Sequence, residues 1–213
     1  KSIAHCLNDA GYKTGWIGKW HIDGQGRHSY TPPERRQGFD YWRTLECTHD
    51  YNNSPYFGDS PEKKYWKGYD AIEQTKDAQA YLEHHASSGS DSPFGLFLSW
   101  GPPHAPYQTA PEKYHKLYAD TEITLRKNVP DEQREEAIKT YKGYYAHMTA
   151  LDDCMGDLIK TLEETGLAEN TILVYTSDHG DMLHSRGAMK KQQPWDESLR
   201  IPFLLRWPEN LKN

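Results

Sequence analysis

Lys19 and His21 flank Trp20 at the end of an apolar run, in the stretch GYKTGWIGKWHIDG spanning residues 11–24. A cation and an imidazole placed where a buried strand stops form either a solvated turn or one wall of an anion site. Two further stretches repeat the design. PFGLFLSW (93–100) runs into GPPHAPY, which carries His104, and TILVYTS (171–177) runs into DHGD, which carries Asp178 and His179. A fourth stretch, KKQQPWDESLRIP, sets Lys190 and Lys191 ahead of Asp196 and Glu197. Carboxylate and imidazole ligands beside lysine and histidine donors suit a metal-assisted displacement at a tetrahedral oxyanion ester, with the cations balancing charge on the transferred group. A single polar strand end carries little information. Three of them, each with His, Lys or Asp and bracketed by Gly or Pro, point to a site, because ligands of open α/β sheets lie beyond the carboxyl ends of the strands.

The elements that must position these residues are legible in outline. Residues 12–17, 93–100 and 171–177 are continuous apolar runs rich in β-branched or aromatic residues, which predicts strands buried on both faces. Residues 201–207 (IPFLLRW) predict a further strand. Between them, 70–86 and 131–165 predict helices. The second of these places Ala137, Tyr141, Tyr144, Met148, Leu151, Met155, Leu158 and Leu162 on one stripe, with Gly166 as its stop. Residues 2–10 also read as helical. The turn-rich stretch 44–67 reads as a long surface excursion. Alternating strands and helices give an α/β fold with a mostly parallel central sheet flanked by helices.

Composition narrows the function classes. The net charge of −6 over 213 residues excludes a nucleic-acid partner, which needs a basic face. At this length one domain is the default, and no apolar run is long enough to span a bilayer. Cys6, Cys47 and Cys154 are three and widely spaced, which reads as free thiols and leaves the redox compartment open.

AGYKTGWIGKWH resembles the G-Y-x-T-x-x-x-G-K-W-H element of the sulfatase family, within the alkaline phosphatase superfamily. SDHGD and KQQPWDESLRIP resemble that family's metal-binding loop and the lysine-bearing segment after it, and GPPHAPY is similar to its P-H-x-P-Y loop. The resemblance implies an alkaline phosphatase-like fold and hydrolysis of a sulfate ester. It implies that Lys19 and His21 face the sulfate group and the nucleophile, and that His104 protonates or stabilises the leaving oxygen. Asp178 would ligate a divalent ion, calcium before magnesium, with His179 in the adjacent ligand position. Lys191 would be the second lysine on the sulfate, with Lys190 as the alternative, and His184 stands near a position where relatives carry a histidine.

The family's nucleophile is a formylglycine made within C/S-x-P-x-R, and no such motif occurs in the chain. That residue, and two metal-binding aspartates of the family's first strand, are expected on an upstream segment. Residues 1–213 therefore read as a partial sulfatase catalytic domain, incomplete at both ends and inactive when taken alone. Two alternatives stay open: a phosphomonoesterase or phosphodiesterase of the same superfamily, built on a zinc pair, and a non-catalytic degenerate relative. The expected substrate is a small-molecule or carbohydrate sulfate ester, and the wealth of Tyr and Trp (15 and 7) favours the sugar. A periplasmic or secreted full-length protein fits the resemblance. Oligomeric state is left open.

Overall fold

The computed structural model describes residues 1–211. Its backbone divides into two compact units, Lys1–Pro102 with Asp153–Thr161, and Pro103–Asp152 with Leu162–Asn213.

In the first unit, α1 (Ile3–Asp9) is capped by Ser2, whose hydroxyl accepts the His5 amide while the His5 ring accepts the Ser2 amide. The sheet that follows contains β1 (Lys13–Lys19), β2 (Tyr41–Leu45), β3 (Asn53–Phe57), β4 (Lys63–Lys67) and, after α2 (Asp70–Ser87), β5 (Phe94–Ser99). The strand order is β4-β3-β2-β1-β5. β1 lies at the parallel heart of the sheet, paired with β2 on one side and β5 on the other. β3 and β4 extend it as an antiparallel ribbon, so the sheet is mixed.

That ribbon corrects the reading of 44–67 as a surface excursion. Tyr51, Tyr56, Phe57 and Trp66 are buried, and Tyr56 stacks on Trp66 at 4.3 Å between ring centroids. Turn residues break the segment into strands too short to show a period, although their aromatic side chains pay the cost of ordering them. Beneath β1, Ala4, Trp20, Phe39 and Trp42 form a core cluster, with Trp16 and Phe97 packed against it. At the start of α2, Asp70 is buried and takes a hydrogen bond from Ser54, and burial pushes its carboxyl up to about 8.

The second unit holds α3 (Glu112–Tyr118), most of α4 (Arg134–Glu164), β6 (Leu173–Thr176), α5 (Asp196–Leu199) and β7 (Phe203–Arg206). The stripe expected on α4 is largely core: Ala137, Tyr141, Leu151, Leu158 and Leu162 are all buried. β6 and β7 pair antiparallel as a two-stranded ribbon. The apolar run that forms β6 predicts burial on both faces, yet its side chains alternate between half-buried and exposed, and on β7 Phe203 and Leu204 are 65% and 64% exposed. Each strand has only the other as a sheet partner among the described residues. β5 is likewise half-buried along its length.

One close approach fixes the end of β1. Gly18 has φ +99, and a Cβ built on it would lie 2.2 Å from the Ser99 carbonyl oxygen and 3.1 Å from Gln74 Oε1. The carbonyl is backbone of the paired strand and cannot step aside. Gly18→Ala is therefore expected to destabilise the fold by roughly 3 kcal/mol or more, combining left-handed strain with overpacking. Gly156→Ala, on α4 where nothing lies within 4 Å, serves as the control. It should be neutral or stabilising by up to about 1 kcal/mol. Urea unfolding of both variants checks the contrast, and equal midpoints would refute it.

Candidate active site

In the first unit Lys19 is the last residue of β1, not the first residue beyond it. Trp16 Nε1 donates to the Lys19 carbonyl at 3.0 Å, and the Trp20 amide continues the ladder to Leu45 O at 2.9 Å. Trp20 then turns into the aromatic cluster, its ring 4.9 Å from those of both Trp16 and Trp42. Burying Trp20 leaves Lys19 half-buried before it and His21 exposed after it. His21 itself adopts a left-handed backbone, with φ 54.

The second unit gathers His104, Asp178, His179 and Lys191. His104 donates from Nδ1 to its neighbouring Ala105 carbonyl at 2.8 Å, and this leaves Nε2 to accept the Lys191 ammonium at 3.1 Å. His179 repeats the arrangement. Its Nδ1 donates to Gly180 O at 2.7 Å, and Nε2 is turned 3.6 Å from Asp178 Oδ2. The two imidazoles stand 6.3 Å apart at 69°. Each tautomer is thus set by a backbone carbonyl, which aims the other nitrogen into the cluster. Gly180 admits this geometry because a Cβ there would sit 2.1 Å from Glu197 O. Asn128 secures the same segment by donating to Glu197 Oε1 at 2.7 Å.

Lys191 arrives on a tight turn whose flanking Lys190 and Gln192 have φ 65 and 69. Asp181, absent from the sequence-based site, holds that turn. Its Oδ1 accepts the Leu183 and Lys190 amides at 3.1 and 3.0 Å, and its Oδ2 accepts the Tyr107 hydroxyl at 2.8 Å. Position beside Asp178 and His179 in SDHGD was the one available signal for it. Lys190 is exposed, so of the two lysines only Lys191 meets His104. His184 is buried, with Thr140 Oγ1 and Gln133 Oε1 each 3.0 Å from a ring nitrogen, which makes it a structural residue of the second unit.

Among the described residues no three His, Cys, Asp or Glu side chains converge as a complete metal cage. Asp178 and His179 nevertheless fit as part of one. His179 Nε2 and Asp178 Oδ2 face each other across 3.6 Å, a nitrogen and a carboxylate oxygen of the kinds that ligate divalent ions. Two donors are a minority share of the six to eight that calcium takes.

An α/β protein with a lysine at one strand end, carbonyl-oriented histidines beyond others and an acid–imidazole pair presents groups of the type that serve a tetrahedral oxyanion ester. The comparisons sharpen the class. The sulfatase family model matches residues 1–213, and the chain belongs to the sulfatase family. An ulvan-active sulfatase of Formosa agariphila is 45% identical over 209 residues, covering 97% of this chain and 40% of that protein. An endo-4-O-sulfatase of Bacteroides thetaiotaomicron is 29% identical, covering 98% of this chain and 46% of that protein. The crystal structure of sulfatase yidJ from Bacteroides fragilis superposes with a TM-score of 0.91 at 29% identity, over 98% of this chain and 50% of that one. The chain thus spans half or less of the length of these relatives.

The loop bearing His104 carries a pH-sensitive support. His147, wholly buried on α4, points Nε2 at Pro106 O across 3.3 Å. Burial lowers its pKa from 6.5 to about 4, opposed by the Pro106 hydrogen bond and aided by nearby His115. The folded ring stays neutral while the unfolded chain takes up a proton below 6.5, so stability is lost as pH falls from 6.5 towards 4. The expected loss is on the order of 3 kcal/mol across that window. Denaturant titrations at pH 7 and 4.5 check it: His147→Gln should flatten the slope, and an unchanged slope would show that other groups cause it.

Proposed function

We propose that this chain is the part of a sulfatase catalytic domain that clamps the sulfate group and protonates the leaving oxygen. The observation that carries the reading is the Lys191–His104 contact at 3.1 Å, with the Asp178–His179 pair beside it in the same unit. Identity of 45% to a named sulfatase supports the reaction class over the phosphatase alternative. In this reading Lys19, His21 and Lys191 meet the sulfate oxygens, where charge grows as the ester bond breaks. His104 and Lys191 act as a pair at the bridging oxygen, the ammonium supplying the hydrogen and the carbonyl-oriented ring holding it in place. Asp178 and His179 contribute two donors to a hard divalent ion, calcium before magnesium. When bound, that ion and a formylglycine from outside these residues supply charge neutralisation and the attacking oxygen.

The substrate in this reading is a sulfate ester on a carbohydrate. Ulvan, for which the 45% identical relative is named, is the first to test.

In the complete protein, Lys19→Ala, His21→Ala and Lys191→Ala should each lower kcat/KM about a hundredfold or more, as loss of one positioned charge-stabilising donor does. Lys190→Ala should cost far less. Sulfate release from ulvan and from an aryl sulfate is the measurement, and near-normal turnover by all three variants would reject the clamp. The polypeptide 1–213 alone should release no sulfate.

Chelation should abolish turnover, and calcium should restore it better than magnesium. Elemental analysis is the second arm: two stoichiometric zinc ions would return the protein to the phosphatase reading.

A further inference from the structure

We propose that Glu46 is a positioning residue for His21, acting through three backbone amides; the inference rests on the functional reading above. Parallel pairing of β1 with β2 sets Lys19 opposite Leu45, and the Trp20 amide bonds Leu45 O at 2.9 Å. Glu46, the next residue along, therefore emerges beside the turn that begins at His21. Its carboxylate reaches under that turn. Oε1 accepts the Ile22 and Asp23 amides at 3.3 and 2.9 Å, and Oε2 accepts the Gly24 amide at 3.3 Å. Three consecutive N–H groups converge on one anion, a nest whose donors are usually found around phosphate or another bound anion. Here the protein supplies the anion itself.

Several features tie this nest to His21. Glu46 is 4% exposed, and those three amides donate to both of its carboxylate oxygens. His21 takes φ 54, a conformation that a non-glycine residue holds only where its surroundings enforce it. The three amides directly follow it and fix the direction in which the chain leaves. Asp23 braces the other side: its side chain, 3% exposed, pairs with Arg35 Nε at 2.9 Å. An exposed imidazole on an unpinned turn would sample many directions. With the turn pinned, the backbone from which the imidazole starts is fixed.

Glu46→Gln is the sharpest test. It keeps the shape and one acceptor oxygen but turns a donor towards an N–H group. In the complete protein, with ulvan or an aryl sulfate as the probe, kcat should fall about tenfold or more while KM and the thermal midpoint stay near wild type. Hydrogen exchange at the Ile22, Asp23 and Gly24 amides should quicken at least about tenfold as their acceptor is lost. The decisive arm is a double-mutant cycle: in a His21→Ala background, Glu46→Gln should cost nothing further. Multiplicative losses would show that Glu46 acts elsewhere, and faster exchange with unchanged kcat would show that the nest does not position His21. Either result overturns the proposal. Should Glu46→Gln fail to fold, Glu46→Asp, which keeps the charge with a shorter reach, goes through the same cycle. A wild-type protein that releases no sulfate from either probe would sink the functional reading, whereas an active wild type matched by an equally active Glu46→Gln would sink this proposal alone.

Discussion

Backbone pressed against backbone is the constraint on which each part of this site depends. At Gly18 the chain passes so close to Ser99 that a Cβ would fall 2.2 Å from its carbonyl oxygen, and at Gly180 the corresponding distance to Glu197 O is 2.1 Å. No side chain larger than hydrogen fits either position. Both glycines sit directly beside the residues assigned to chemistry, Lys19 in the first unit and His179 in the second. The close approach removes freedom from the backbone where a misplacement of 1 Å would be felt in the rate.

Hydrogen bonds then aim the side chains, and the acceptors involved are conspicuously local. His104 and His179 each spend one ring nitrogen on a carbonyl one residue away. Asp181 and Glu46 each spend a carboxylate on the amides of a turn. Such bonds, charge-assisted and partly shielded from water, hold left-handed residues that would otherwise relax. They also explain how the two acidic residues each stand beside proposed anion-binding side chains of their own unit without opposing them. Their negative charge is directed into backbone N–H groups.

What the sequence discloses follows from which forces leave a local trace. β1, β5 and α4 are long apolar patterns, so period and composition find them. Lys19, His21, His104, Asp178, His179 and Lys191 stand out because reactive types recur at strand ends and in a recognisable order. Residues 44–67 look like a loop because β3 and β4 have five residues each, β3 opens on Asn53, Ser54 and Pro55, which signal turns, and β4 is mostly lysine; only tertiary burial of Tyr56 and Trp66 makes them strands. At β6 the expectation fails in the opposite sense, since an apolar run reports a preference for burial and says nothing of whether both faces are covered. Glu46 and Asp181 left almost no trace. A carboxylate that serves backbone amides needs no partner side chain and hence no motif.

Lysine is an expensive choice for a positioned charge, because ordering its four-carbon stem costs about 2 kcal/mol of rotamer freedom. Arginine would bring a rigid fork and a charge that never leaves, but it could not hand a proton to a departing oxygen. Lysine can, provided something else holds it still. In the second unit that service is divided between the two ends of the side chain. Asp181 fixes the turn from which Lys191 starts, and the His104 lone pair fixes the nitrogen at which it ends. The Ala105 carbonyl, by choosing the His104 tautomer, decides that a lone pair and not a hydrogen meets the ammonium. The order imposed on one flexible cation thus traces back to a carboxylate and a carbonyl that need never touch the substrate.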